Sequence, residues 1–97
     1  MATSRRRLTD AEIDAALAGL PGWRRDANRL VRDFQFVDFV EALGFIAQVG
    51  ALAERVDHHP ELTNVYNRVT IALSTHDAGG VTPMDLALAA EIGTRGT

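Results

Sequence analysis

A chain of 97 residues, 46% hydrophobic and 24% charged, has the size and make-up of one globular domain, not of two independent cores. A net charge of −3 excludes the basic excess of a dedicated nucleic-acid binder. The absence of cysteine excludes a disulfide framework or thiolate metal site, and the apolar runs are too short for a membrane span.

In chain order, the opening MATSRRRLTD has arginines with no apolar segment behind them. That is not the pattern of a secretory signal, and a cytoplasmic protein is expected. All ten basic residues are arginine, and Arg5, Arg6 and Arg7 form the only basic run. Residues 1–7 read as a flexible, solvated tail, with an anion or partner contact as the alternative.

Thr9-Asp10-Ala11-Glu12 fits a capping box, with Leu8 and Ile13 placed as a hydrophobic staple. Ile13, Ala16, Leu17 and Leu20 make one helix face, ended by Gly19 and Pro21. Residues 23–26 and 30–36 read as strands around a tight turn, Ala27-Asn28-Arg29. A second helix starts at Asp38-Phe39-Val40-Glu41 and runs to about Val56. Phe39, Leu43, Ile46 and Ala53 recur at helical spacing, with Ala42 and Val49 beside them.

Residues 62–66 and 68–75 read as strands flanking Asn67. In the latter, Val69, Ile71 and Leu73 alternate with Arg68, Thr70, Ala72 and Ser74, and His76 continues the polar parity. Thr82-Pro83-Met84-Asp85 opens a third helix, with Leu86, Ala90 and Ile92 expected to bury and residues 93–97 to fray. The expected fold is α+β: a four-stranded antiparallel sheet with three helices on one face, in the order α-β-β-α-β-β-α. Residues 1–97 form one domain, small enough that oligomerisation would be a natural source of stability.

All three histidines lie within ERVDHHPELTNVYNRVTIALSTHD, residues 54–77. Singly, each has an ordinary reading: His58 near helix carbonyls, His59 in a loop before Pro60, His76 at a strand end. Together they converge if the last strand lies near the end of the second helix. Glu54 lies four residues before His58, which places it on the same side of a helix to support that imidazole. Two chemistries fit. One is a metal site of histidines and a carboxylate, for which adjacent histidines are awkward. The other is metal-free proton transfer, the work to which imidazole is best suited near neutral pH. No nucleophilic cysteine, GxSxG elbow or phosphate-binding glycine loop is present.

The string Glu54-x-x-x-His58-His59-Pro60, then Asn64-Val65-Tyr66-Asn67, Leu73-Ser74-Thr75-His76 and Asp85, resembles the pterin-4a-carbinolamine dehydratases. Gly22-Trp23, the stretch from Phe34 through Phe39, and Gly44-Phe45 extend the resemblance from about Leu8 to Ile92. It implies the same fold, a homodimer or homotetramer, a small-molecule pterin substrate, no metal and no cofactor. It implies dehydration of 4a-hydroxytetrahydropterin, left by aromatic amino-acid hydroxylases, to quinonoid dihydropterin. His58 and His76 would then be the acid–base residues, and His59 would mainly hold the pterin. Asp57, Ser74, Thr75 and Asp77 would contact the polar edge of the ring, and Glu54 would support the histidines.

Asp85, which falls at the third helical position, reads as a cap, and Trp23 and Tyr66 as packing residues. Where the family often has Trp after Pro-Glu, this chain has Leu62, which implies a smaller pocket wall. The histidines are expected to be exposed, so that replacing His58 or His76 lowers turnover far more than stability. The competing implication is a non-enzymatic dimerisation or partner-binding role, as in animal members that partner a homeodomain transcription factor. Neither direct nucleic-acid contact nor a membrane is expected.

Overall fold

The computed structural model describes residues 4–96. Among these, α1 spans Asp10–Leu17, β1 Arg24–Asp26, β2 Arg29–Gln35, α2 Phe39–Val56, β3 Glu61–Val65, β4 Arg68–Leu73 and α3 Pro83–Arg95. One antiparallel sheet runs β1-β2-β4-β3, with the helices on one face. No helix is long and apolar enough to cross a membrane among the described residues.

Each helix begins where its cap chemistry places it. The Thr9 hydroxyl accepts from the Glu12 N–H while Glu12 accepts from the Thr9 N–H, closing the box around α1. Leu8 and Ile13 are both buried, as a staple requires. Asp38 accepts from the Glu41 N–H at the start of α2. Thr82 accepts from the Met84 N–H, Pro83 takes the first helical position, and Asp85 reaches back to the Thr82 N–H.

Strand alternation divides the sheet into two faces. Leu30 lies opposite Leu73 and Phe34 opposite Val69, and these four join Ile71 in the core. Ile13 of α1, Phe45, Val49 and Leu52 of α2, and Leu88 and Ile92 of α3 close over them. On the other face Arg29 of β2 reaches Glu61 of β3 at 2.9 Å. That ion pair spans the intervening β4 over Ala72, which lies between Val31 and Glu61 in register. Val31 and Ala72 are nonetheless buried on this face.

Several expectations are corrected. The buried face of α2 is Ala42, Phe45, Val49, Leu52 and Ala53, whereas Phe39 and Leu43 are nearly half exposed. In α3, Leu88 and Ala89 bury, and Ala90 faces solvent. Residues 93–95 continue α3, and a side chain on Gly96 would run into the ring of Phe34. Thr97 and residues 1–3 lie outside the described residues. Both hairpin turns hold two residues, Ala27-Asn28 and Tyr66-Asn67, with Ala27 and Tyr66 at positive φ. Tyr66 is therefore an exposed turn residue, not a packing residue, while Trp23 is in the core as expected. β4 ends at Leu73, and His76 belongs to a turn of 3-10 helix, His76–Ala78.

Candidate active site

Two chain reversals bring the histidines together. The first follows α2, where Asp57 adopts a left-handed conformation at φ 51°. Aspartate tolerates this conformation better than most residues. The His58 N–H still bonds the Ala53 carbonyl at 3.1 Å, but the helix has ended. The side chains of His58 and His59 leave the i,i+4 lattice and part company. The second reversal is the segment from Ser74 to Gly80, closed by the Thr75 N–H donating to the Gly80 carbonyl. Gly79, at φ 74°, supplies the left-handed turn residue there.

Between these reversals lies a cavity of about 210 Å³. Asp57, His58 and His59 line it from the α2–β3 link, and Ser74, Thr75, His76 and Asp77 from the β4–α3 link. Arg5 also lines it. Leu62 is not among the lining residues: it pairs with Ile71 on the edge strand and is 40% exposed. The pocket wall expected of it is absent because strand alternation turns it toward the helix side of the sheet.

The three imidazoles differ. His58 is buried, and its Nε2 lies 2.5 Å from Asp85 Oδ1. Asp85 is fully buried, and its Oδ2 accepts from the Thr75 hydroxyl and from the Thr82 N–H. The Thr82 hydroxyl in turn donates to Thr75 Oγ1 at 2.8 Å. An ionised Asp85 so placed keeps the proton of neutral His58 on Nε2, leaving Nδ1 as an acceptor. Asp85 therefore does cap α3, and the same carboxylate orients His58.

His59 is exposed, and its Nε2 meets Glu54 Oε1 at 2.5 Å. Glu54 thus pairs with His59 and not with His58, because α2 stops at Val56 and the i,i+4 relation fails. His76 is exposed and has no hydrogen-bonding side-chain partner among the described residues. The expectation that all the histidines are exposed is thus wrong for His58, whose helix-ending turn folds it against α3. The site combines an oriented imidazole with an unconstrained one, a combination able to accept a proton at one point and deliver one at another. Among the described residues, no three His, Asp or Glu side chains are grouped as a metal ion would need.

Two contributors were not read from sequence. The orienting role of Asp85 was hidden because a capping box already explains an aspartate three residues after Thr82. Arg5 was read only as part of the basic run, with an anion or partner contact as the alternative, because nothing local distinguishes it from Arg6 and Arg7.

The sequence profile described as "Pterin 4 alpha carbinolamine dehydratase" matches residues 6–94. A protein of Novosphingobium aromaticivorans with the provisional name pterin-4-alpha-carbinolamine dehydratase is 54% identical over 85 residues, covering 86% of this chain and 88% of its own. A similarly named protein of Rhodopseudomonas palustris is 54% identical over 86 residues, covering 87% and 85%. Among solved structures, a "transcriptional coactivator/pterin dehydratase" from Brucella melitensis superposes with a TM-score of 0.91 at 41% identity, covering 95% of this chain and all of its own. A pterin dehydratase-like RuBisCO assembly factor of the alpha-carboxysome, at 22% identity and a TM-score of 0.66, shares the fold.

Proposed function

The chain belongs to the pterin-4a-carbinolamine dehydratase family, and from that premise we propose that it dehydrates a 4a-hydroxytetrahydropterin to quinonoid dihydropterin and water. This would recycle the pterin cofactor of aromatic amino-acid hydroxylases. The observation that carries the reading is the meeting of three imidazoles at one cavity, with His58 held by buried Asp85.

The reaction breaks the bond from carbon 4a to its hydroxyl oxygen. That oxygen takes a proton and leaves as water, the neighbouring ring nitrogen loses its proton, and a carbon–nitrogen double bond forms. Hydroxide is a poor leaving group, so a general acid at the oxygen and a base at the nitrogen are what the step requires. In this reading His58 and His76 serve as the acid–base pair, each suited to the hydroxyl of one epimer. His59, steadied by Glu54, holds the pterin, while Asp57, Ser74, Thr75 and Asp77 meet the polar edge of the ring. The chemistry assigned here calls for no cofactor.

The test is the decay of enzymatically generated 4a-carbinolamine, followed by ultraviolet absorbance. Acceleration by the intact chain, lost by about 100-fold or more in His76→Ala, is the expected result. An unchanged decay rate with the folded protein would overturn the reading in favour of a non-enzymatic partner-binding role.

We also propose a homodimer or homotetramer, built on the second apolar stripe of α2. Phe39 and Leu43 remain nearly half exposed there, with Val40 75% exposed on the same outer side. A second copy would cover a stripe that the sheet leaves bare.

A further inference from the structure

The histidine cavity is small for a ligand site. Its volume of about 210 Å³ falls below the roughly 300–1,000 Å³ usual for small-molecule sites. A second cavity, a groove of about 560 Å³ between α2 and α3, lies beside it, and Arg5 lines both. The groove has an apolar floor that includes Leu52, Val56 and Met84. Arg5, Arg55 and Arg95 stand around it.

Only some of the guanidiniums in this chain are neutralised by a carboxylate. Arg6, Arg24, Arg25 and Arg29 each meet a carboxylate within ion-pair distance. Arg5, Arg55 and Arg95 meet none among the described residues, and nor do Arg7, Arg32 and Arg68, but only the first three line the groove. The protein has a net charge of −3, so carboxylates were not in short supply. Glu91 also lines the groove, and the three cations still leave its mouth positive. Guanidinium forks match phosphate oxygens bidentately, and several together suit a dianion.

Resting on the dehydratase reading above, we propose that the substrate is a pterin whose side chain ends in a phosphate monoester. The ring occupies the histidine cavity, and the side chain passes Arg5 along the apolar floor. Its phosphate is held by Arg5 and Arg55, with Arg95 adding charge. The adjacency of the two cavities, which share Arg5 as a lining residue, carries this assignment, and charge complementarity selects the anion.

Oxidised pterins cannot be dehydrated and are fluorescent, so binding can be separated from catalysis. The full chain is titrated with 6-(hydroxymethyl)pterin and with its phosphate monoester at fixed ionic strength, and inorganic phosphate is added as competitor. The ester should bind about ten-fold tighter or better, equivalent to roughly 1.4 kcal/mol. That advantage should shrink with added salt and fall toward unity in the Arg5→Ala/Arg55→Ala double variant. Both side chains are exposed, and a melting curve checks that the variant folds.

Equal affinities for the two pterins would overturn the anion assignment and leave the dehydratase reading standing. An ester advantage that survives the double variant would overturn the role of the groove. Binding of inorganic phosphate without binding of either pterin would overturn both this inference and the reading beneath it. The carbinolamine decay assay then shows independently whether the dehydratase reading has failed.

Discussion

Removing the imidazole of His58 would take one donor from Asp85, a carboxylate with no exposed surface. Thr75 and the Thr82 N–H would still hold Oδ2, but Oδ1 would lose its hydrogen-bonding partner. A hydrogen bond to a charged group is worth about 1.5–3 kcal/mol. His58→Ala should therefore lower stability by about 2 kcal/mol, while His76→Ala, at an exposed position, should stay within about 0.5 kcal/mol. Denaturant melts of the two variants measure this directly, and equal losses would refute the Asp85–His58 arrangement. The histidines themselves were legible in the sequence, since only three exist and they fall within one segment. The second function of Asp85 was not, because its partner lies 27 residues away and the local capping pattern gave a sufficient account of it.

Elements were legible mainly through their ends. Thr9, Asp38 and Thr82 mark helix starts by side-chain chemistry that acts within three residues, so no tertiary knowledge is needed. The buried face of α2 was misread because that helix has more apolar residues than one stripe can hold, and periodicity alone does not choose between stripes. Helix α1 carries a pH dependence in its cap. The hydrogen bond from Arg6, then that from the Thr9 N–H, draws the Glu12 carboxyl down to about 2 from its ordinary 4.5. A carboxyl depressed by folding stabilises the folded state above its ordinary value. That contribution drains away as pH falls from about 4.5 through about 2. A carbon-detected NMR titration of Glu12 should find its midpoint near 2, with amide exchange at the start of α1 quickening over that interval. In Arg6→Ala the midpoint should rise toward 4.5. A midpoint near 4.5 in the parent chain would show that the Arg6–Glu12 pair does not hold in solution.

At the scale of the whole molecule, two hairpins were legible but the way they join was not. Either strand of the second hairpin could have met β2, and long-range burial chose β4, the strand whose alternating Val69, Ile71 and Leu73 all lie in the core. β3, with Leu62 and Val65 exposed, was left at the edge. The same economy leaves α2 with a bare stripe. A chain of this length has too little interior to bury both sides of an 18-residue helix. Phe39 and Leu43 lie one turn apart on that stripe, which a second copy could cover by helix-to-helix packing. Leu43 is 44% exposed, so a charge there should be tolerated by the isolated fold and rejected by an apolar interface. Sedimentation should therefore find the parent chain as a dimer or tetramer at micromolar concentration and Leu43→Glu as a monomer with an unchanged far-ultraviolet spectrum. The variant should also melt lower, since association adds to stability by mass action. A monomeric parent chain, or a variant of unchanged mass, would mean that this stripe is not where the copies meet.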